Sequence, residues 1–155
     1  GPGGQTESTR AISLHAGYAT AHHGYGGYFA CIGRRNDALT EAKRAQELDP
    51  LAPIMTFERG LAFYYNRDYD KAIEQLQETL ALDADFPPAH GELPAAYELK
   101  GMYDQAVAGF RKGLAVRGTN EWYFSMSGLA HVYAVSGKTG EGRAVLNQLR
   151  LPSER

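Results

Sequence analysis

The sequence predicts an all-α chain built as an array of antiparallel helix pairs. Three observations predict it. Apolar residues recur three and four positions apart, as in Ala72, Ile73, Leu76 and Leu80, which is one face of a helix. Short polar turns such as Asn66-Arg67-Asp68 separate neighbouring apolar stretches. The whole pattern then returns after about 34 residues, a period that marks stacked helix–turn–helix units.

The unit is clearest from Met55 to Asp83. In its first helix Gly60 and Phe63 lie three apart and share a face. Asp70 is placed to cap the second helix. Gly60 and Ala72 are small where two helices must approach closely, and Asp83 ends the unit.

A shift of about 34 residues carries Phe63 to Tyr97, Tyr69 to Tyr103, Asp70 to Asp104, Ala72 to Ala106, Leu76 to Phe110 and Leu80 to Leu114. The opposite shift carries Gly60 to Gly26, Phe63 to Phe29 and Ala72 to Ala38. A further copy follows after a connection about two residues longer, with Tyr133 matching Tyr97 and Gly137 matching Gly101. On these positions the chain resembles the tetratricopeptide repeat family over nearly its whole length. The resemblance implies a right-handed superhelical solenoid, here of about four repeats with a leading half-repeat. It also implies a binding scaffold, since the family serves very diverse partners.

The expected organisation follows the period. Residues 1–4, Gly1-Pro2-Gly3-Gly4, read as a cloning scar. Residues 5–18 form a half-repeat helix in which Ala11 and Leu14 match Ala45 and Leu48; a truncated array and a natural cap both account for it. Repeats follow at 19–52, 53–86 and 87–120, and the last, with its tail, at 121–155. The first helix of the 19–52 repeat holds Gly24, Gly26 and Gly27 and should be weak, at about 1 kcal/mol per helical glycine. Asp49-Pro50 ends its second helix. Phe86-Pro87-Pro88 opens the next pair, with proline in the first turn. Pro94 falls where Gly60 and Gly26 fall, so a kink is expected near Gly91–Pro94. Asn120 is placed to cap the following helix. Leu146 and Leu149 leave an apolar edge on the last helix, open to self-association.

Composition narrows the function. With 16 Lys and Arg against 18 Asp and Glu the net charge is −2. The basic residues are dispersed, and Arg34-Arg35 and Lys43-Arg44 lie beside acids, so nucleic acid is not the expected partner. No stretch is long and apolar enough to span a membrane, and no signal segment opens the chain. Cys31 is the only cysteine and asks for no oxidising compartment. A cytoplasmic protein is expected.

Candidate chemistry is sparse. His22 and His23 are adjacent, so they point about 100° apart on a helix and do not make a two-ligand face. His22 matches His90 as a packing residue, while His23 looks toward the inner surface. Cys31 reads as a buried or half-buried structural thiol. Asp37, Asp70, Asp104, Glu74 and Glu78 read as turn, cap and surface residues. No acid, base and nucleophile converge, so an enzyme ranks last, no metal is expected and no cofactor is called for.

The family resemblance places the first helix of each unit on the concave surface. That surface would carry His23, Gly27 and Ala30; Phe57, Leu61, Tyr64 and Tyr65; Gly91, Ala95, Glu98 and Leu99; and Phe124, Ser127, His131 and Val135. Some family members grip the carboxylates of chaperone tails with Lys, Arg and Asn; the matching places here hold Phe, Gly, Leu and Ala, which disfavours that ligand. The expected site is a groove for a peptide or helix of a partner protein, centred on Phe57, Leu61, Tyr64, Tyr65 and Leu99, with Phe124 beside them. Glu98 and His131 would select a polar or basic feature at one end. A structural spacer or self-association module between domains is the alternative. Phrases such as Ala45-Gln-Glu-Leu-Asp-Pro and His131-Val-Tyr-Ala-Val-Ser-Gly-Lys resemble the repeat regions of bacterial regulators, which couple such repeats to a DNA-binding or kinase domain.

Overall fold

A computed structural model describes residues 14–15, 17–24, 26–27, 30–116 and 119–150. Residues 1–4, most of the expected half-repeat at 5–18, Phe29 and the residues beyond 150 lie outside the described residues. Of the half-repeat, residues 14–15 and 17–18 are described, and they are helical. Helical residues between 17 and 31 are followed by α1 (Arg35–Leu48), α2 (Pro53–Tyr65), α3 (Tyr69–Leu82), α4 (Pro87–Leu99), α5 (Tyr103–Gly113), α6 (Thr119–Val135) and α7 (Thr139–Arg150). Among the described residues all regular structure is helix. The chain divides into two compact units, Gly1–Asp83 and Ala84–Arg155.

In the first unit, α1 buries Ala38, Ala42 and Ala45, a stripe at helical spacing. The Arg34 guanidinium donates to Asp37 at 2.6 Å across the first turn of α1. Pro53 begins α2, where its missing N–H costs nothing. The helical pairs approach closely where small residues permit it. A Cβ on Gly26 would lie 3.6 Å from the Ala38 carbonyl oxygen. One on Gly60 would lie 3.1 Å from Leu76 Cγ, one turn beyond the expected contact with Ala72. The cap of α3 is Asp68, whose carboxylate accepts from the Lys71 N–H at 3.5 Å; Asp70 sits within the first turn instead.

A polar network is buried among α1, α2 and α3. Gln46 Nε2 donates to Thr56 Oγ1 at 3.3 Å and to Gln75 Oε1 at 3.0 Å. Its own oxygen accepts from Arg59 Nη1 at 2.5 Å. Thr79 Oγ1 donates to the Gln75 carbonyl at 2.9 Å. Amide side chains suit this place because each offers both donors and an acceptor to three helices at once.

In the second unit the core is Ala106, Phe110, Leu129, Val132 and Tyr133, with Tyr97, Val107 and Val145 packed against it. Arg111 Nη2 donates to the Tyr133 hydroxyl at 2.8 Å, so the buried ring keeps a partner for its polar end. Helix α4 runs unbroken from Pro87 to Leu99 through Pro94. The buried Pro94 ring packs on Gly109, where a Cβ would come within 2.8 Å of Pro94 Cβ. The ring thus occupies space that a second side chain would otherwise take. Helix α6 begins at Thr119, so Asn120 lies inside its first turn rather than at its cap.

The first helices end alike. Gly33, Arg67, Gly101 and Gly137 all hold positive φ, between 63° and 79°. At three of these turns the next N–H reaches back across the helix end: Asp68 to the Phe63 carbonyl at 3.0 Å, Met102 to that of Tyr97 at 2.9 Å, and Lys138 to that of Tyr133 at 2.8 Å. This left-handed helix stop reverses the chain into the second helix of each pair.

Candidate partner-binding faces

In the first unit the face is made by α2 and the helical residues before α1. His23, Gly26 and Ala30 stand across a small cleft from Glu58, Leu61 and Tyr65. The rings of Tyr64 and Tyr65 meet edge to face at 5.6 Å, and Tyr64 meets Tyr69 of α3 the same way at 5.8 Å. Tyr64 is therefore half-buried and braces α2 on α3, while Tyr65 is 52% exposed. Leu61 is half-buried. Phe57 departs from the expected surface role: it is 6% exposed, so its ring serves packing. Of the four residues expected on this face of α2, Tyr65 is the most exposed.

In the second unit α4 and α6 lie side by side. His131 Nδ1 is hydrogen-bonded to a Glu98 carboxylate oxygen. The two groups expected to meet a ligand thus meet each other; the imidazole remains largely exposed and the carboxylate largely covered. Leu99 is 52% exposed and Phe124 47%. Phe124 lies over Gly91, its ring 2.8 Å from where a Cβ would be, and 6.4 Å from the ring of Phe110. Behind Phe124 opens a cleft of about 220 Å³ lined by Pro87, Pro88, His90, Gly91, Glu92, Gly113 and Ser125.

Two carboxyl groups escaped the sequence reading. Burial pushes the Glu58 carboxyl above the ordinary range, and neighbouring His23 pulls it partly back. Burial pushes the Glu92 carboxyl up as well. Each stands two residues before the small packing position of its helix, Gly60 or Pro94. An acid recurring at that place, 34 residues apart, was the available signal.

Elsewhere the candidates are ordinary. His22 Nδ1 is hydrogen-bonded to Glu41 of α1, which ties its helix to the next. His90 Nε2 donates to the Ala84 carbonyl at 2.7 Å. Cys31 is exposed, contrary to the expected buried thiol. Among the described residues no three His, Cys, Asp or Glu groups gather to hold a metal ion, and no helix is long and apolar enough to cross a membrane.

Helix pairs of this length, stopped and stacked at this period, define a tetratricopeptide repeat protein. The chain belongs to the tetratricopeptide repeat family, whose profile matches residues 32–89 and again 59–123. It is 32% identical over 84 residues to small glutamine-rich tetratricopeptide repeat-containing protein 2 of Mycosarcoma maydis. That match covers 54% of this chain and 24% of the relative. Among solved structures it is similar to MamA (TM-score 0.75, 19% identity, 90% of this chain and 80% of that one). It is also similar to the first repeat domain of Spaghetti (RPAP3) bound to HSP90 peptide SRMEEVD (0.72, 16%, 79% and 95%). The Sgt2 repeat domain from Aspergillus fumigatus is a third (0.72, 18%, 88% and 87%). At these identities the likeness is one of fold.

Proposed function

We propose that the chain is a non-catalytic interaction scaffold whose first-helix faces bind a peptide or helix of a partner protein. The observation that carries this reading is the exposed apolar surface on those faces: Tyr65 in the first unit, Leu99 and Phe124 in the second. The helix pairs have their own cores, so these side chains are in excess of what pairing requires. Tyrosine gives a large contact area at small entropic cost and a hydroxyl for orientation. The bound HSP90 peptide in the Spaghetti domain supports peptide binding by this fold. The chemistry of the ligand differs, because the first-helix positions here offer Tyr, Leu, Phe, Glu and His in place of a cationic clamp. An acidic C-terminal tail would find no fixed positive charge on them.

The test is selection of a random peptide display library on the full chain. Peptides should be enriched, and they should bind Tyr64→Ala/Tyr65→Ala or Leu99→Ala at least tenfold more weakly, with the folded helical signal retained. A library that yields nothing, or peptides indifferent to these substitutions, overturns the reading.

A further inference from the structure

The cleft behind Phe124 differs from the open helix faces. It exists because two positions lack a side chain. A Cβ on Gly91 would meet the Phe124 ring at 2.8 Å, and one on Gly113 would collide with Ser125 Oγ and come within 3.3 Å of the His90 carbonyl oxygen. Its walls are mainly apolar, supplied by Pro87, Pro88 and Phe124. Two acceptors break that surface. One is the carboxylate of Glu92. The other is the carbonyl of His90: its helical donor would be the N–H of residue 94, and Pro94 has none. Among the described residues no Lys, Arg or His forms an ion pair with Glu92. An apolar sleeve with an aromatic face, a carboxylate and a spare carbonyl matches one kind of side chain, an aliphatic stem ending in a cation.

We propose that this cleft is the anchor pocket for a basic residue, lysine above all, of the partner segment, its stem against Pro87, Pro88 and Phe124 and its ammonium at Glu92 and the His90 carbonyl. The inference deepens the peptide-scaffold reading and rests on it. It gives the partner a required chemistry: a basic residue among apolar neighbours, the reverse of an acidic tail. The upward push on the Glu92 carboxyl is in keeping with it, because a buried carboxylate lacking a counter-charge is the group that gains most from an arriving cation.

The experiment uses the full chain labelled with ¹⁵N and two probes, Nα-acetyl-lysine methylamide and its norleucine counterpart, which has a comparable stem without the charge. The lysine probe should shift the amides of Gly91, Gly113 and Ser125 at a concentration at least tenfold below that needed for the norleucine probe. Glu92→Gln should abolish that preference while the chain stays folded. Gly91→Ala, which drives the Phe124 ring from its place, should weaken both probes. Equal response to the two probes, or a preference that survives Glu92→Gln, overturns the proposal. Peptides enriched from the display library without a lysine preference would sink the pocket alone. A lysine preference with no enriched peptide would sink the wider scaffold reading instead.

Discussion

Arg67 and Gly101 occupy the same point of successive helix stops, and both hold a positive φ, 63° and 74°. For glycine that conformation is free of steric cost; for arginine the Cβ crowds the carbonyl, at about 1–2 kcal/mol. Arg67 is the one non-glycine residue with positive φ among the described residues. Arg67→Gly should therefore stabilise the chain by about 0.5–1 kcal/mol, the gain being trimmed by the extra freedom of glycine in the unfolded chain. Denaturant unfolding measures it. A loss of stability would mean that the arginine side chain contributes more than its backbone costs.

The buried network around Gln46 leads to a second expectation. Gln46→Ala removes the partner of Thr56, Gln75 and Arg59 together. Arg59 already has a buried Nε without a hydrogen-bond partner, so it has little to fall back on. The substitution should cost about 2–4 kcal/mol, combining unmet polar groups with a cavity. Thr40→Ala, on the exposed side of the same helix, serves as the control and should change stability by less than about 0.5 kcal/mol. Equal effects of the two in thermal melts would refute the network's role.

Glu58 and Glu92 set a pH dependence whose sign is fixed. Their carboxyls are raised in the folded chain, so between the ordinary value of 4.5 and the raised one the folded state holds more protons than the unfolded state. Their contribution to stability is fully present below the ordinary value and is lost as pH rises through the raised one. Glu58→Gln and Glu92→Gln should each raise the melting temperature at pH 7 and flatten its decline above pH 4.5. Melting curves across that range decide it, and a variant that melts lower at pH 7 would contradict the assignment.

Pro94 and Gly109 are matched in volume, which makes the pair sensitive. Gly109→Ala sets a Cβ 2.8 Å from the ring and should cost about 1–3 kcal/mol. Pro94→Ala restores the hydrogen bond to the His90 carbonyl and should raise stability by about 1 kcal/mol, because the recovered bond and relieved helix strain exceed the lost ring contacts. A lower midpoint for Pro94→Ala in urea would show that the ring's packing on Gly109 is the larger effect.

Exchange of the Glu98–His131 contact bears on the binding face. The imidazole is largely exposed, so either partner replaced by alanine should shift stability by no more than about 1 kcal/mol. Peptides selected on the intact chain should nonetheless lose affinity for Glu98→Ala or His131→Ala at least threefold, measured by calorimetry. Unchanged affinity would remove both residues from the face.

By itself the sequence determined the helix pairs, their order and their stops. Those features are local: apolar spacing such as Ala38, Ala42 and Ala45 selects one face, Pro53 and Pro87 suit first turns, and Gly101 and Gly137 are read as turns by residue type alone. The same local logic misled where neighbouring residues offer equal chemistry, as at Asp68 and Asp70, since a cap is chosen by where the backbone leaves the helix. Tertiary structure alone decided what each face could reach. Phe57 became core and Tyr65 surface although both lie on the expected inner face, because burial depends on what packs against each side chain and not on its spacing along α2. Glu98 was committed to His131, and the missing side chains of Gly91 and Gly113 became one cleft. Such pairings join residues more than twenty positions apart, and their distances depend on how packed helices settle against each other, which residue spacing along one helix does not encode.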